Sequence, residues 1–337
     1  MKAADTRPLG RTGLHVSQIG FGGAPLGNLF AALSETDAAS AVSSAFAAGI
    51  RLFDTAPLYG HGLSEHRIGA ALRHCKRDDF VLATKVGRLL RPDASAAGGH
   101  YRDILPFATQ FDYSYDGVLR SIDDSLQRLG LARIDIVHIH DVDVWTHKSQ
   151  TAMDERFAEV MGGGYRALRR LREEKAIGAI GVGVNEWQAC QRFAEAGDFD
   201  CFLLAGRYTL LEQGALDSFL PLCVARNIAV IIGGPFNTGI LATGAKAGAT
   251  YNYQPASPEV MERVSRIEAM CRDHGVALAS AALQFPLHHP AVASVIPGAR
   301  SATEVAANLA TFETPVPAAL WTALKQGGLL RADAPTP

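Results

Sequence analysis

Short apolar segments alternate with longer amphipathic segments along almost the whole chain, and this alternation restricts the possible folds more than any other feature. The apolar segments are brief and several are rich in β-branched residues, as buried parallel strands are. We predict strands at 19–22, 51–54, 80–85, 134–140, 177–182, 200–204, 228–232 and 293–296, and helices at 35–48, 64–73, 115–129, 157–175, 187–196, 215–226, 258–274 and 303–311. Eight strand–helix units in one chain of 337 residues predict an α/β protein, a (β/α)8 TIM barrel, with residues 1–337 as a single domain.

The segments outside this repeat also have predicted positions. Residues 7–16 contain two short apolar runs around a glycine-containing turn, which predicts an N-terminal β-hairpin that covers the N-terminal mouth of the barrel. The long connections are 86–114, 141–156 and 233–257. Because all three follow strands, we expect these long loops at the C-terminal face, where they build the pocket. Residues 331–337 are expected to form a frayed tail.

Composition excludes several classes of partner. The net charge of −2 provides no basic field that would attract nucleic acid. No apolar run reaches membrane-spanning length, and the chain begins without an apolar targeting segment. The 5 cysteines are scattered and form no C-x-x-C motif, which is typical of a reducing compartment. We therefore expect a cytoplasmic protein that binds a small-molecule substrate, and neither nucleic acid nor a membrane.

Four polar residues lie at or after the ends of three consecutive predicted strands. Asp54 ends the second strand, and Tyr59 follows it in the next turn. Lys85 ends the third strand, and His140 ends the fourth. Because neighbouring strand ends of a barrel converge on one mouth, the four side chains are expected to share a site.

These residue types together predict acid–base chemistry. A tyrosine ordinarily has a pKa of about 10, and a nearby ammonium favours its phenolate form. We therefore predict that Tyr59 transfers a proton to or from a substrate oxygen, that Lys85 lowers its pKa, and that Asp54 holds Lys85. His140 is expected to orient the substrate oxygen by hydrogen bonding. Each residue taken alone is more often structural, and only their joint placement indicates a catalytic site.

A second histidine raises the alternative of a metal site. His138 and His140 lie two apart on one predicted strand, with Asp141 and Asp143 following, a spacing that is also compatible with zinc binding. No suitable ligands end the fifth, sixth and eighth predicted strands. We therefore predict no metal and place His138 in the core. The sequence also lacks a Gly-x-Gly-x-x-Gly after a strand and a P-loop, so a Rossmann domain is not predicted.

The four residues lie within motifs that resemble those of the aldo-keto reductase family. The motifs are Phe53-Asp54-Thr55-Ala56-Pro57-Leu58-Tyr59-Gly60, Ala83-Thr84-Lys85-Val86, Ile139-His140, Gly181-Val182-Gly183-Val184-Asn185 and the segment 295–301 with Asn308. The resemblance extends from about Leu9 to Asn308. It implies a barrel oxidoreductase that uses NAD or NADP, with Asp54, Tyr59, Lys85 and His140 as the catalytic set. It also implies a monomer or a weak homo-oligomer.

Further segments resemble particular branches of this family. Residues 84–90, 205–211 and 233–241 are similar to bacterial L-fucose and D-threo-aldose 1-dehydrogenases and to pyridoxal 4-dehydrogenases. This similarity implies oxidation of a cyclic hemiacetal, an aldose such as L-fucose, D-arabinose or L-galactose, to the lactone, with Tyr59 as the general base. The alternatives are a pyridoxal 4-dehydrogenase, a general aldehyde or ketone reductase, and a cofactor-binding regulatory subunit without turnover.

The resemblance also implies the residues that contact cofactor and substrate. Asn185 is expected to hold the nicotinamide carboxamide, and the helix that starts near Ser301 to face the phosphate or ribose end. The expected cofactor residues are Gly23, Ala24, Asp54, Asn185, Tyr208, Gly234, Pro235, Phe236, Asn237, Gly239, Leu241, Ile296, Gly298, Arg300, Ser301, Glu304 and Asn308. Gly233 and Gly234 stand where relatives often carry an aromatic ring that stacks on the nicotinamide, so that ring is missing here unless Tyr208 or Phe236 replaces it. Phe111, Tyr113, Trp145 and Tyr253 are expected to line the substrate pocket.

Charge near the adenosine ribose decides between NAD and NADP. A carboxylate at Glu304 disfavours a 2′-phosphate and can accept a hydrogen bond from a free 2′-hydroxyl. Arg300 argues in the opposite direction, because a guanidinium suits phosphate. We expect NAD to be favoured, with NADP possible.

Overall fold

Eight parallel strands close into a barrel that follows an N-terminal hairpin. The computed structural model describes residues 1–337. The hairpin consists of β1 (Thr6–Pro8) and β2 (His15–Ser17); the barrel strands are β3 (Phe21–Gly22), β4 (Leu52–Asp54), β5 (Val81–Val86), β8 (Ile136–His140), β9 (Ala179–Val184), β10 (Cys201–Ala205), β11 (Ala229–Gly233) and β14 (Val292–Ile296); loop strands are β6 (Arg88–Pro92), β7 (Phe107–Phe111), β12 (Thr250–Tyr251) and β13 (Gln254–Pro255). Backbone hydrogen bonds from Gly20 N to Val295 O (2.8 Å) and from Val295 N to Gln18 O (2.9 Å) join the first strand to the last. The predicted barrel and hairpin are confirmed.

Helices surround the barrel. They are α1 (Glu35–Ala47), α2 (Leu63–Leu72), α3 (Tyr115–Leu129), α4 (Val144–His147), α5 (Gln150–Glu159), α6 (Tyr165–Glu173), α7 (Trp187–Ala196), α8 (Phe219–Ala225), α9 (Ile240–Thr243), α10 (Pro258–Asp273), α11 (Leu278–Gln284), α12 (Ala302–Glu313) and α13 (Ala318–Gln326). Ser34 and Ser114 accept hydrogen bonds from Asp37 N and Gly117 N and so cap α1 and α3. None of these helices is both long and apolar enough to span a membrane.

Alternation along the strands separates two layers of core. On β10, Cys201 and Leu203 belong to a small cluster inside the barrel, whereas Phe202 and Leu204 belong to the larger cluster between strands and helices. Residues two apart on a strand share a face. A side chain at a strand end therefore points either into the barrel mouth or into the helical layer, according to its register.

The hairpin closes the N-terminal end of the barrel. Leu9 and Val16 are fully buried within the inner cluster. Arg7 donates to the carbonyl oxygens of Leu287 (2.7 Å) and Val292 (2.8 Å), which fastens β1 to the start of β14. The opposite, C-terminal end stays open for a ligand.

Several connections are more regular than the sequence indicated. The connection 86–114 contains the β6–β7 hairpin, 141–156 contains α4 and most of α5, and 233–257 contains α9 and the β12–β13 pair. The single helix predicted at 157–175 is instead interrupted by a π-helical turn at Val160–Gly164. This turn contains three consecutive glycines, which allow its backbone to approach residue Tyr113 closely. The helices α11 and α13 were not predicted.

The C-terminal residues pack against the barrel, so the prediction of a frayed tail is wrong. Arg331 N donates to Gln213 Oε1 (2.8 Å), and the Arg331 side chain pairs with Asp217. Ala334 is only 1% exposed. The short apolar contact and the ion pair together hold the tail.

Candidate active site

The ends of β4 and β5 place a buried ion pair at the base of the open mouth. Lys85 Nζ donates to both carboxylate oxygens of Asp54 (2.9 and 2.7 Å) and to Thr55 O (2.8 Å). Because an ammonium has three donors, its hydrogen bonding is complete. The two side chains are 1% and 4% exposed. Burial raises the pKa of Asp54, and the charge and hydrogen bond of Lys85 oppose that shift.

Tyr59 lies above this pair and beside His140. Lys85 Nζ is 4.7 Å from the centre of the Tyr59 ring. The His140 ring centre is 5.9 Å from that of Tyr59, at an interplanar angle of 83°. Tyr113 Oη donates to His140 O (2.7 Å), which fixes the end of β8. The structure therefore brings all four residues of the predicted catalytic set together.

The environment of Tyr59 in the ligand-free protein favours its neutral phenol form. Burial raises the pKa of Tyr59 well above its ordinary value, and the charge of Asp54 raises it further. All three donors of Lys85 are engaged by Asp54 and Thr55, so none is left to hydrogen-bond the Tyr59 hydroxyl group. We conclude that in the ligand-free protein Tyr59 is a protonated phenol at neutral pH.

His140 is a neutral imidazole in this environment. Burial lowers its pKa well below the ordinary value, and the charges of Arg88 and Lys85 lower it further. Its Nδ1 is buried without a hydrogen-bond partner, and its Nε2 lies 3.5 Å from Asp141 Oδ2. A neutral imidazole keeps one donor and one acceptor, so it can orient a substrate hydroxyl or carbonyl group.

An elongated cavity of about 440 Å³ runs across the C-terminal mouth from Tyr59 to the first turn of α12. Its wall combines the loop after β3, the residue after β9, and the segments that follow β10, β11 and β14. The predicted cofactor residues in this wall are Ala24, Asp54, Asn185, Gly234, Pro235, Phe236, Asn237, Gly239, Ile296, Gly298, Arg300 and Glu304. A single continuous groove thus joins Asp54 and Tyr59 of the catalytic set to the predicted adenosine end.

Comparison with known proteins agrees with this arrangement. The sequence model of the aldo/keto reductase family matches residues 18–327, a range that includes every barrel strand and the four clustered side chains. The chain belongs to the aldo/keto reductase family. It is therefore an NAD(P)-dependent oxidoreductase.

Three relatives cover nearly all of this aldo/keto reductase. It is 42% identical to pyridoxal 4-dehydrogenase of Microbacterium luteolum, over 98% of this chain and 99% of that one. It is 38% identical to D-threo-aldose 1-dehydrogenase of a Pseudomonas species, over 96% of this chain and 97% of the other. Among solved structures, the holo form of an aldo-keto reductase from Bacillus halodurans is similar with a TM-score of 0.74 and 25% identity, over 98% of both chains.

The middle of the reductase's groove fits a nicotinamide cofactor. Gly234 has a φ of +54°, and a Cβ at this position would meet nothing closer than Gly206 N at 3.7 Å. The backbone here is therefore open to the close approach of a planar ring. Asn185 stands in the same wall, and its backbone N–H donates to Asp143 Oδ2 (3.0 Å), which fixes its position after β9. Its amide is free to bind a carboxamide.

The far end of the groove is shaped by the start of α12. Ser301 accepts a hydrogen bond from Glu304 N (3.2 Å) and caps the helix. Arg300 donates to Glu304 Oε1 through Nε (3.1 Å) and Nη2 (3.0 Å). Asn308 donates to Gly298 O (3.1 Å). Ser301 and Asn308 thus support the groove from behind, and Arg300 and Glu304 line it.

Three other predicted cofactor residues lie outside the wall. Tyr208 is fully buried and packs against Phe285 and His289, with ring centres 5.2 and 5.7 Å away. The structure therefore does not place Tyr208 where it could stack on a nicotinamide, and Phe236 is the candidate of the two that does line the groove. Leu241 is fully buried, and Gly23 donates its N–H to Asp54 O (2.8 Å).

The predicted substrate aromatics are mostly structural. Tyr113 is fully buried against the end of β8, and Phe111 packs between Tyr113 and His147. Trp145 is 40% exposed and lies outside the groove. Phe111 and Tyr113 thus pack within the β6–β7 and α4 region and Trp145 is exposed, so none of the three lines the groove in this structure.

Tyr253 does line the groove, together with residues that the sequence did not indicate. Phe30 reaches over the groove from the loop after β3, and its ring centre is 6.3 Å from that of Tyr253. Arg207 and Asn252 also line it, joined by a hydrogen bond of 2.8 Å. Nothing in the spacing of these residues distinguished them from ordinary loop positions.

His138 lies in the barrel core below His140. Its Nε2 is 3.6 Å from Cys201 Sγ. Burial lowers its pKa to about 3. This position corresponds to the packed core histidine that the sequence analysis favoured over a metal ligand.

Proposed function

We propose that this reductase oxidises the cyclic hemiacetal of an aldose, such as L-fucose, D-arabinose or L-galactose, to the corresponding lactone, with NAD as the preferred cofactor. The observation that carries the proposal is the placement of Tyr59 between the Lys85–Asp54 ion pair and a neutral His140, at one end of the groove that contains Asn185. The similarity to D-threo-aldose 1-dehydrogenase supports the choice of substrate class.

The reaction removes one hydride and one proton from the hemiacetal. The bound nicotinamide supplies the hydride acceptor for the C–H bond of the anomeric carbon. His140 holds the anomeric oxygen, and Tyr59 Oη, as phenolate, accepts the proton of that hydroxyl group. The electrons of the O–H bond then form the carbonyl bond of the lactone. Lys85 and Asp54 fix Tyr59 from below and keep the base of the site free of an unpaired charge.

Pyridoxal is the second candidate substrate, favoured by the similarity to pyridoxal 4-dehydrogenase. It also closes into a cyclic hemiacetal, so the same residues would perform the same steps. General aldehyde or ketone reduction is the reverse chemistry, with Tyr59 as the acid.

The charge at the adenosine end supports NAD. Arg300 is engaged by Glu304 through three contacts, one from its backbone and two from its side chain. The guanidinium is therefore less available to a 2′-phosphate, and the carboxylate is placed to repel it. A free ribose 2′-hydroxyl can still donate to the same carboxylate.

The test follows nicotinamide absorbance with NAD and then NADP, using L-fucose, D-arabinose, L-galactose and pyridoxal as substrates. We expect NAD reduction with at least one of them, and a loss of about 10²–10⁴-fold in kcat for Tyr59→Phe. The matched control is Tyr115→Phe, which removes an exposed hydroxyl group on α3 that contacts Arg170. Absence of turnover with every sugar and with pyridoxal would refute the proposed substrate class. Retention of cofactor without turnover would favour the binding-subunit alternative.

A further inference from the structure

A second buried ion pair, Arg88–Asp141, lies beside His140, and the reaction steps described above do not use it. Arg88 Nη1 is 2.8 Å from Asp141 Oδ2, and the two side chains are 7% and 12% exposed. Burying such a pair costs desolvation free energy that its attraction seldom exceeds, so it is weak evidence for stability alone. A role in the site is the more economical explanation.

The backbone turns Asp141 toward the catalytic residues. Asp141 is the first residue after β8 and has a φ of +56°. Its N–H donates to Gly183 O (2.9 Å), which anchors this left-handed turn. As a result, the carboxylate lies beside the preceding residue, with Oδ2 3.5 Å from His140 Nε2. A non-glycine residue in this conformation is uncommon and clusters at functional sites.

Arg88 is placed by its own hairpin. It begins β6 and pairs in register with Phe111 of β7, and its guanidinium lies 4.6 Å from the centre of that ring. Its Nη1, although close to Asp141, does not make a hydrogen bond of good geometry and is buried without another acceptor. No third side chain hydrogen-bonds to the Asp141 carboxylate. Arg88 Nη1 therefore retains donor capacity, and the Asp141 carboxylate retains acceptor capacity.

The Asp141 carboxylate lies next to the catalytic residues, because its Oδ2 is 3.5 Å from His140 Nε2 and the His140 ring centre is 5.9 Å from that of Tyr59. Burial raises the pKa of Tyr59, Tyr101 and Tyr253, and the charge of Asp141 adds to each shift. Tyr101 is 6.1 Å from Tyr59 between ring centres, and Tyr253 lines the groove. The charge of Asp141 thus acts on phenols from three different loops.

We propose that Asp141, positioned by Arg88, accepts a hydrogen bond from a hydroxyl group of the substrate adjacent to the reacting carbon. An oxygen held by His140 Nε2 lies within reach of Asp141, so a neighbouring hydroxyl group meets the carboxylate. The site would then select 2-hydroxylated hemiacetals, or in pyridoxal the ring hydroxyl group next to the reacting substituent. This inference rests on the proposed function and refines its substrate class.

The test compares the substrate that the enzyme oxidises best with the analogue that lacks this hydroxyl group. For D-arabinose the analogue is 2-deoxy-D-ribose, which differs only at carbon 2. We expect the wild-type kcat/KM to favour the hydroxylated sugar by about 100-fold or more, because a site built to bind a hydroxyl group rejects a ligand without it. Asp141→Asn should reduce that ratio to below about tenfold. Asparagine tolerates the left-handed backbone, so the turn is preserved.

The matched control is Asp103→Asn, at an exposed aspartate in a mouth loop whose φ is also positive, +43°. It should leave the ratio unchanged, because its carboxylate is outside the cluster. A purely structural role of Asp141 would lower kcat/KM for both sugars equally and would overturn the inference, as would a wild-type enzyme that does not discriminate. If no sugar and no pyridoxal is oxidised, the proposed function fails separately. The same comparison is then made in the reductive direction with a 2-hydroxyaldehyde and its parent aldehyde, where an unchanged ratio in Asp141→Asn overturns the inference.

Discussion

The contact between Lys85 and Asp54 determines how Tyr59 can act. An ammonium that donated to the phenol would leave an Asp54 oxygen unpaired in a buried position, which costs free energy. The structure instead gives all three Lys85 donors to Asp54 and Thr55. The pair therefore lies below Tyr59 without donating a hydrogen bond to its hydroxyl group. The Tyr59 phenolate, which acts as the base, then forms only as the pH rises.

The raised pKa of Tyr59 predicts an alkaline requirement for oxidation. The active form is the phenolate, and below the pKa its fraction grows about tenfold per pH unit. We expect kcat/KM for the sugar to rise continuously between pH 7 and pH 9, with the opposite trend for carbonyl reduction, which needs the phenol. An ultraviolet difference titration of wild type against Tyr59→Phe should show no Tyr59 phenolate below pH 9. A phenolate signal near pH 7 would contradict the assigned environment.

The charge of Glu304 predicts a preference for NAD over NADP that a single substitution can test. In Glu304→Gln one negative charge is removed from the groove and Arg300 is released from its carboxylate partner. At an exposed site the repulsion between this carboxylate and a 2′-phosphate is worth about 1 kcal/mol. We therefore expect kcat/KM for NADP to rise by about five- to tenfold, with little change for NAD. Glu313→Gln, at the other end of α12, removes the same charge away from the groove and should have no effect on the ratio. An unchanged NADP value in Glu304→Gln would show that this carboxylate does not set the preference.

Among the elements, strand ends could be predicted from sequence and loop interiors could not. Asp54, Lys85 and His140 follow from apolar runs whose length and register are local properties. Asp141 acquires its position from a left-handed turn and from Arg88 on a distant hairpin, and Phe30 from a turn with a φ of +64°. Such positions depend on tertiary contacts that the order of residues does not reveal.

The junction between β5 and β6 connects a backbone conformation to the position of His140. Gly87 has a φ of +103°, and a Cβ at this position would lie 2.1 Å from Tyr113 Cε1. Gly87→Ala would therefore displace Tyr113, whose hydroxyl group holds His140 O. We expect the free energy of unfolding to fall by about 2–4 kcal/mol and kcat to fall as well, measured by urea denaturation and steady-state kinetics.

Gly99→Ala separates the backbone strain of a positive φ from the steric contact with Tyr113. Gly99 also has a positive φ, +60°, but a Cβ there would meet nothing within 4 Å. Its substitution should cost only the backbone term of about 1–2 kcal/mol and leave kcat unchanged. Equal effects of the two substitutions would exclude the contact with Tyr113 as the cause.

At the scale of the whole molecule, stability and chemistry occupy opposite ends of the barrel. The alternation of eight strands and helices was sufficient to predict the closed sheet. Each unit shows a short apolar run for its strand and an amphipathic pattern for its helix, and both are local properties of the sequence. The helices α11 and α13 and the packed C-terminal tail were not predicted, since their apolar residues are buried by contacts that form only after the barrel has closed. The open mouth holds the groove, and the hairpin closes the other end.

The hairpin provides the test of this division. Leu9 is fully buried in the inner cluster at the closed end, far along the strands from Tyr59. Leu9→Ala removes this packing and leaves a cavity, so we expect the free energy of unfolding to fall by about 2–5 kcal/mol in urea denaturation. We expect kcat/KM to stay within about twofold of the wild-type value, because the N-terminal end of such a barrel serves stability rather than catalysis. Val224→Ala, at a side chain that is 48% exposed, is the matched aliphatic control and should change stability by no more than about 0.5 kcal/mol. If Leu9→Ala altered KM under conditions in which the variant remains fully folded, the two ends of the barrel would be coupled, and the hairpin would act on the site as well as on the fold.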